Sequence, residues 1–497
     1  MASSTYRDAR AAEAGDGEGL SALTWAAWLL IGGSLFAAAS FLAYHSHLFG
    51  YAYDLTQIPS LPLTIGLVTA GLIYIPLLYV IRRSIRESRH RRNAALLAFV
   101  VVMGFAMRGM LMTSEPALED DYQRYLWDGA VLMHGLNPYA VSPEKAAEAP
   151  RYSTLHALAK ASGKINERVN HRYLKTIYPP VAQGAFALAY AIKPWSLVAW
   201  RVVCLIGEAA TLALMIALLT MVGRSPLWSA LYWWNPVVIK ELINATHMEA
   251  ILLPLVLAAM MLAVRRWHLA STVALGFAVG AKLWPLILAP LIWRPLINHP
   301  IRLLACAFIL TAMTVVWALP AYLGGLDDSS GFVAYAQNWK TNSALFPAVE
   351  RAVTWVTTPF GLSKELAGLA ARGLMAGLLG LFILWLARKP LEDGADLMQR
   401  ASLVAMAMLI VSPAQYPWYA TWMFVFLPFL PKLSMAAVTV FIPLYYTAFY
   451  LISEGKLEIY TEQVVWAIWL PIWALIAFDV WWAQTAWRRW QPDPLRA

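Results

Sequence analysis

Between residues 119 and 139 the chain gathers Glu119, Asp120, Asp121, Arg124, Trp127, Asp128, Asn137 and Tyr139, directly after a hydrophobic segment. Adjacent carboxylates at a membrane edge are costly unless they act on something, so they mark a transport or catalytic site by default. Paired acids can also hold a divalent cation. A second polar set, Glu208, Lys240, Glu241, Asn244, His247, Glu249 and Lys282, falls inside or beside apolar segments. Glu241, Asn244 and His247 are spaced three apart and could share a helical face, although Pro236 and the asparagines nearby can break the helix. Any one of these groups could simply satisfy its neighbours, but the set as a whole points to a polar cavity. His247 and Glu249 lack the second His or the Cys of a zinc site. Tyr178 precedes Pro179 and Pro180 at a membrane re-entry, and Gln415, Tyr416, Trp418 and Tyr419 cluster at another boundary. Taken alone, that last cluster reads as an interfacial aromatic belt.

The elements that must position these residues are membrane helices. The chain has 497 residues, 60% hydrophobic and only 13% charged, which excludes an ordinary soluble protein. Apolar segments recur at 23–44, 63–81, 95–113, 198–222, 251–264, 301–323, 366–387, 401–411, 418–430, 435–452 and 464–487. Together with shorter ones they imply an all-α polytopic membrane protein of about 11–13 transmembrane helices. Strand-like alternation is absent, and lipid tolerates only helices or closed barrels. Residues 1–22 are polar without a signal-peptide pattern and read as a flexible cytoplasmic tail; 23–497 read as one transmembrane domain. Cys204 and Cys306 sit in apolar segments as small core residues. The net charge of +9 comes from short basic loops, which argues against a nucleic-acid partner.

The basic run from Arg82 to Arg92 orients the chain, because such clusters stay on the cytoplasmic side. Residues 114–177 then form a long loop on the outer face, with 143–168 expected as short amphipathic helices at the membrane surface. A conflict follows. If every apolar segment between Pro179 and Val264 crosses, Arg265 ends outside, so one of them must fail to cross. Both ends of 271–293 also want the cytoplasm. That segment, interrupted around Lys282, is expected as a re-entrant hairpin with Lys282 near its tip. Loops 324–365, 412–417 and 453–463 then share the outer face with the acidic loop.

Several stretches carry a family resemblance. Asp120-Asp-Tyr-Gln-Arg-Tyr-Leu-Trp-Asp-Gly129, Gly135-Leu-Asn-Pro-Tyr139 and Thr176-Ile-Tyr-Pro-Pro-Val-Ala-Gln183 resemble the GT-C superfamily of polytopic glycosyltransferases. More narrowly, they are similar to bacterial members that use polyprenyl-phosphate mannose. The resemblance continues through 234–241, 247–249, 280–285 and 413–419, and so covers most of the chain in order. The first-loop motif is the specific one. Where members often show Gly-His-Asn-Asp or Gly-His-Val-Asp, this chain has Ala-Thr-His-Met-Glu, so Glu249 stands in the place of the family Asp.

The resemblance implies a GT-C-like bundle whose first outer loop is catalytic. It implies transfer of a hexose, mannose above all, from a polyprenyl-phosphate donor to a glycolipid or glycan acceptor, with inversion. Asp121 best matches the family base, with Asp120 the alternative. Lys282, His247 and Arg124 would bind the donor phosphate. Substrate contacts would come from Trp127, Asp128, Asn137, Tyr139, Tyr178, Glu241, Asn244, Glu249, Gln415, Tyr416, Trp418 and Tyr419. Arg124 could instead pair with Asp128 and fix the loop. No cofactor or metal is expected, since a lipid monophosphate donor removes the need for a cation. The site would face the periplasm or exterior of a multi-pass inner-membrane protein, among membrane lipids. The competing class is a flippase for a lipid-linked sugar, or a transferase of the same fold with another donor; the acid-bearing loop favours the enzyme.

Overall fold

A computed structural model describes residues 20–51, 54–87 and 94–486. The expected cytoplasmic tail therefore lies outside the described residues up to position 19, as do part of the basic run at 88–93 and Arg488 and Arg489. Among the described residues every element is helical, apart from two isolated bridges, Gly50 with Ala117 and Thr341 with Ala414. Eight helices are long and apolar enough to span a membrane, from Ala22–Leu48 to Leu457–Trp482. A ninth candidate, Pro236–Asn244 with Glu249–Val264, is bent by 119°, and three shorter apolar helices accompany these. The protein is an all-α, multi-pass membrane protein.

Burial separates the outer helices from the central ones. Pro300–Leu323 leaves Leu304, Phe308 and Val315 exposed, as a lipid-facing helix does, whereas most of Leu433–Ser453 is buried. Between helices of similar apolarity, close approach through small residues supplies the attraction. A Cβ on Gly207 would sit 2.2 Å from the Ala250 carbonyl oxygen, and one on Gly104 would sit 2.0 Å from Trp233 Nε1. Cys204 and Cys306 are both buried and free.

Where the sequence left a conflict over Arg265, the structure has a short apolar helix, Pro180–Ile192, with both ends against the acidic loop. Before it, Tyr178 bonds to Asp121 in the acidic loop; after it, Trp195 stacks on Trp127 of the same loop at 6.5 Å. Both ends of this helix thus lie on the loop side. The segment after His268 also returns to its starting side. Its helix stops at Ala281, Lys282 is extended, and Trp293 Nε1 donates to Thr272 Oγ1 at 2.9 Å. Lys282 lies at the turn of this hairpin.

The loops expected on one face meet there. Lys175 Nζ pairs with Asp327 Oδ2 at 2.8 Å, Thr341 N donates to Pro413 O at 3.1 Å, and Tyr460 Oη donates to Asn342 Oδ1 at 2.9 Å. On the other face Arg82 donates to Pro431 O, and Arg294 to Arg388 O. The loop region from 143 to 168 forms three short helices, Pro143–Glu148, Thr154–Ala161 and Lys164–Arg168.

Candidate active site

Two irregular segments meet on the loop side. The first is the acidic turn. Asn244 fastens it: Oδ1 accepts the Ala117 N–H at 2.9 Å, and Nδ2 donates to Ser114 Oγ and the Glu115 carbonyl. The helix Asp121–Met133 begins immediately after the turn. Glu119 Oε1 accepts the N–H groups of Asp120 (3.0 Å) and Asp121 (2.9 Å), satisfying donors that a helix start leaves free. Gly129 presses this helix against Pro180–Ile192, where a Cβ would sit 2.4 Å from the Phe186 carbonyl oxygen.

The second is the break before Glu249. Asn235 Oδ1 caps a short helix begun by Pro236. The helix widens over Lys240–Asn244 and ends, so Glu241, Asn244 and His247 do not share one regular helical face. Thr246 takes a positive φ of 64°, and Arg201 braces the break through the carbonyls of Met112, Ile243 and Asn244. A non-glycine residue in that region is held by its surroundings. The result delivers His247 to the acids. Its Nε2 lies 3.0 Å from Glu119 Oε2 and 3.5 Å from Glu241 Oε2, and its Nδ1 lies 4.0 Å from Asp121 Oδ2. Behind it, Tyr446 Oη donates to Glu241 Oε1 at 2.6 Å, and Lys240 bonds both Glu241 and Tyr446.

An aromatic wall joins this cluster to Lys282. Trp418 stacks on His247 at 4.0 Å and on Tyr416 at 4.3 Å, while Tyr419 stacks on Trp422 at 4.1 Å. Lys282 Nζ sits 4.6 Å from the Tyr419 ring centre and 4.9 Å from that of Trp422, within cation–π range. It also pairs with Glu249 Oε1 at 2.5 Å. Most of these polar groups are fully buried. Asp120, Asp121, Tyr178 and Lys282 are partly exposed, the side chains of Asp121 and Lys282 by 20% and 21%.

Electrostatics separates the three neighbouring acids. Burial and the Glu119 charge push Asp121 up to about 6, against the pull of His247, Tyr178 and Lys282. Burial, then Glu119 and Asp121, push Asp120 up to about 8. Burial works against ionised Glu119 too, but His247 and Lys240 outweigh it and hold its carboxyl below the usual range. Near neutral pH the partly exposed Asp121 is thus a carboxylate of raised basicity, chemically able to accept a proton. Tyr178 Oη donates to its Oδ2 at 3.1 Å. Glu119, Asp121 and His247 also offer ligand atoms within 4.8 Å of one another, a set able to hold a divalent cation.

Of the sequence-derived candidates, Asp121, Asp120, His247, Glu241, Glu249, Lys282, Tyr178, Tyr416, Trp418 and Tyr419 belong to this constellation. The others support it. Arg124 was a phosphate candidate; its guanidinium instead donates to the carbonyls of Asn170, His171 and Leu174, which braces the loop. Trp127 was a sugar-contact candidate; it packs in a separate small core with Ala130, Val131, Ala146, Leu158 and Val169. Asp128 accepts from Gln183 at 3.0 Å, and Asn137 donates to Pro320 O. Tyr139 donates to Tyr178 O at 2.6 Å, and Gln415 to Ile410 O. The site adds Glu119, Tyr446 and Trp422, which the sequence did not single out as ligands. Glu119 was visible as part of the acidic triplet, and Trp422 by its three-residue spacing from Tyr419; Tyr446 carried no signal.

A family model described as alpha-(1->6)-mannopyranosyltransferase, N-terminal domain, matches residues 22–297, more than half of the chain. Alpha-(1->6)-mannopyranosyltransferase A of Mycobacterium tuberculosis is 26% identical over 341 residues, 63% of this chain and 61% of the relative. The protein of that name from Corynebacterium glutamicum is 25% identical over 296 residues, 58% of this chain and 56% of the relative. The chain therefore matches less than two thirds of the length of either. No solved structure matches.

Proposed function

The chain belongs to the alpha-(1->6)-mannopyranosyltransferase family, and from that premise we propose that it is an integral-membrane mannosyltransferase using a polyprenyl-phosphate mannose donor. The acceptor is a hydroxyl of a glycolipid or glycan on the extracytoplasmic face, as the basic loops argue. The linkage in the relatives' names points to a primary 6-hydroxyl as nucleophile.

The chemistry divides between Asp121 and Lys282. The acceptor oxygen attacks the anomeric carbon and gives its proton to Asp121. The bond from that carbon to the phosphate oxygen breaks on the opposite side, and its electron pair stays on the phosphate. That leaving group needs no proton, only a cation for its growing charge, and Lys282 supplies it. One displacement inverts the anomeric carbon, so an alpha product requires a beta-linked donor. The aromatic wall formed by Tyr416, Trp418, Tyr419 and Trp422 offers flat apolar surface to the sugar and the prenyl chain. Glu119, Glu241 and His247 hold the base in place and tune it.

The observation that carries this reading is geometric: beside a buried polar network, partly exposed Asp121 is held by Tyr178 at 3.1 Å and lies 4.0 Å from His247, and the aromatic wall leads from there to partly exposed Lys282. The test is transfer by the purified protein from a panel of synthetic polyprenyl-phosphate sugars to a membrane-lipid extract. Incorporation from the mannosyl donor supports the reading. No incorporation from any donor, with labelled lipid moving across proteoliposomes, would replace it with a flippase.

A further inference from the structure

Glu249 holds an unfilled hydrogen-bonding position in this site. Its Oε1 accepts from Lys282 Nζ at 2.5 Å and from Trp422 Nε1 at 3.3 Å, which fixes the plane of the carboxylate. Its Oε2 is buried, in a side chain 1% exposed, and has no hydrogen-bond donor among the described residues. Leaving a buried carboxylate oxygen unmatched is costly, and native structures seldom do so without a reason. Glu249 opens the helix Glu249–Val264, where the helix dipole favours the ionised form. This buried, unpartnered oxygen calls for a donor. A phosphate cannot supply one, since like charges repel. A second cation is not needed beside Lys282. On the other side of Trp422, the stacked Trp284 indole carries an N–H that is likewise buried and unpartnered. A neutral hydroxyl, which both donates and accepts, matches an environment of that kind.

Resting on the reading of Lys282 as the phosphate-binding cation, we propose that Glu249 Oε2 accepts the hydrogen bond of the donor sugar's 2-hydroxyl, and so selects the donor at the carbon next to the bond that breaks. The phosphate sits at Lys282, and Glu249 is bonded to that same ammonium. Of the sugar's hydroxyls, the one on the carbon adjoining the anomeric centre is the nearest to the phosphate. A site that reserves a buried charged acceptor for one hydroxyl discriminates strongly against the analogue lacking it.

The experiment compares kcat/KM for polyprenyl-phosphate mannose and its 2-deoxy analogue, in wild type and in Glu249→Gln. Wild type should prefer the parent donor by about tenfold to hundredfold, the scale of one hydrogen bond to a charged group. Glu249→Gln also releases Lys282 and should slow both donors, but the parent donor by about tenfold to hundredfold more than the analogue, so that the preference collapses. An undiminished preference in the variant overturns the proposal. Wild-type use of the parent donor with no preference over the analogue also overturns it, while leaving the donor reading intact. Use of neither donor overturns both. Should Glu249→Gln prove unstable in detergent, Glu249→Asp retains the charge but retracts the oxygen; a preference equal to wild type there overturns the proposal as well.

Discussion

His247 Nε2 lies 3.0 Å from Glu119 Oε2, and through this contact a break in one membrane helix grips the turn that starts the acidic loop. The same ring helps to hold Asp121 below the value its burial would otherwise impose. Replacing it, as in His247→Asn, removes that pull. The acidic limb of the pH–rate profile should then move upward from the wild-type position, with a loss of rate at pH 7 that recovers in part at higher pH. A uniform loss with an unmoved limb would show that His247 acts in another way.

The wild-type profile itself is a second prediction. Asp121 must be a carboxylate to accept a proton. Pushed up to about 6, it is mostly protonated below that pH and mostly ionised above it. Transfer should therefore rise tenfold per pH unit below about 6 and flatten above it. A limb near 8 would point to Asp120 as the base.

Asp120 should leave a mark on stability. Its value in the folded protein is raised, so the fold favours the neutral acid. That preference stabilises the protein at pH values below the ordinary aspartate range near 3.8, and is lost as pH rises through about 8. Asp120→Asn, which stays neutral, should match wild type in acid and melt at a higher temperature above pH 8. An equal difference across the range would indicate a packing effect instead.

Asn244 is expected to matter for rate without touching substrate. Its three hydrogen bonds fasten the acidic turn, and Asn244→Ala leaves buried partners unmatched at a cost of about 1–3 kcal/mol. Thermal unfolding should shift downward, and kcat should fall more than KM rises, because the base is displaced rather than the donor site. A change in KM alone would count against this account.

Gly129 tests the packing that aims the helix. A methyl group there meets the Phe186 carbonyl oxygen at 2.4 Å, so Gly129→Ala must separate Asp121–Met133 from Pro180–Ile192. Overpacking of this kind costs about 1–3 kcal/mol. Melting in detergent should show the loss, while Gly109→Ala, with open space around it, should show none.

The helical architecture was legible because long apolar runs admit few alternatives in lipid. The count of basic loops required one segment between Pro179 and Val264 to stay on one side. It could not show that Pro180–Ile192 packs along the acidic loop, because a short apolar helix has the same composition whether it crosses or packs beside a loop. The acidic triplet, Lys282 and the 415–419 aromatics were legible as types that need a reason near a membrane. Their pairing was not. His247 reaches Glu119 through the positive φ of Thr246 and the bracing of Arg201, and no local pattern encodes that geometry. Arg124 and Trp127 sit in the same motif as Asp121 but point their function elsewhere, since a conspicuous motif also contains the residues that build its own scaffold.

In the proposed mechanism Asp121 takes the acceptor's proton while Lys282 receives the leaving phosphate. The most direct measurement is single-turnover transfer from polyprenyl-phosphate mannose by wild type and Asp121→Asn, with donor binding measured separately on both. The account predicts a loss of about 100-fold to 10,000-fold in the transfer step with donor affinity largely retained. Transfer by Asp121→Asn at a rate close to wild type would contradict it.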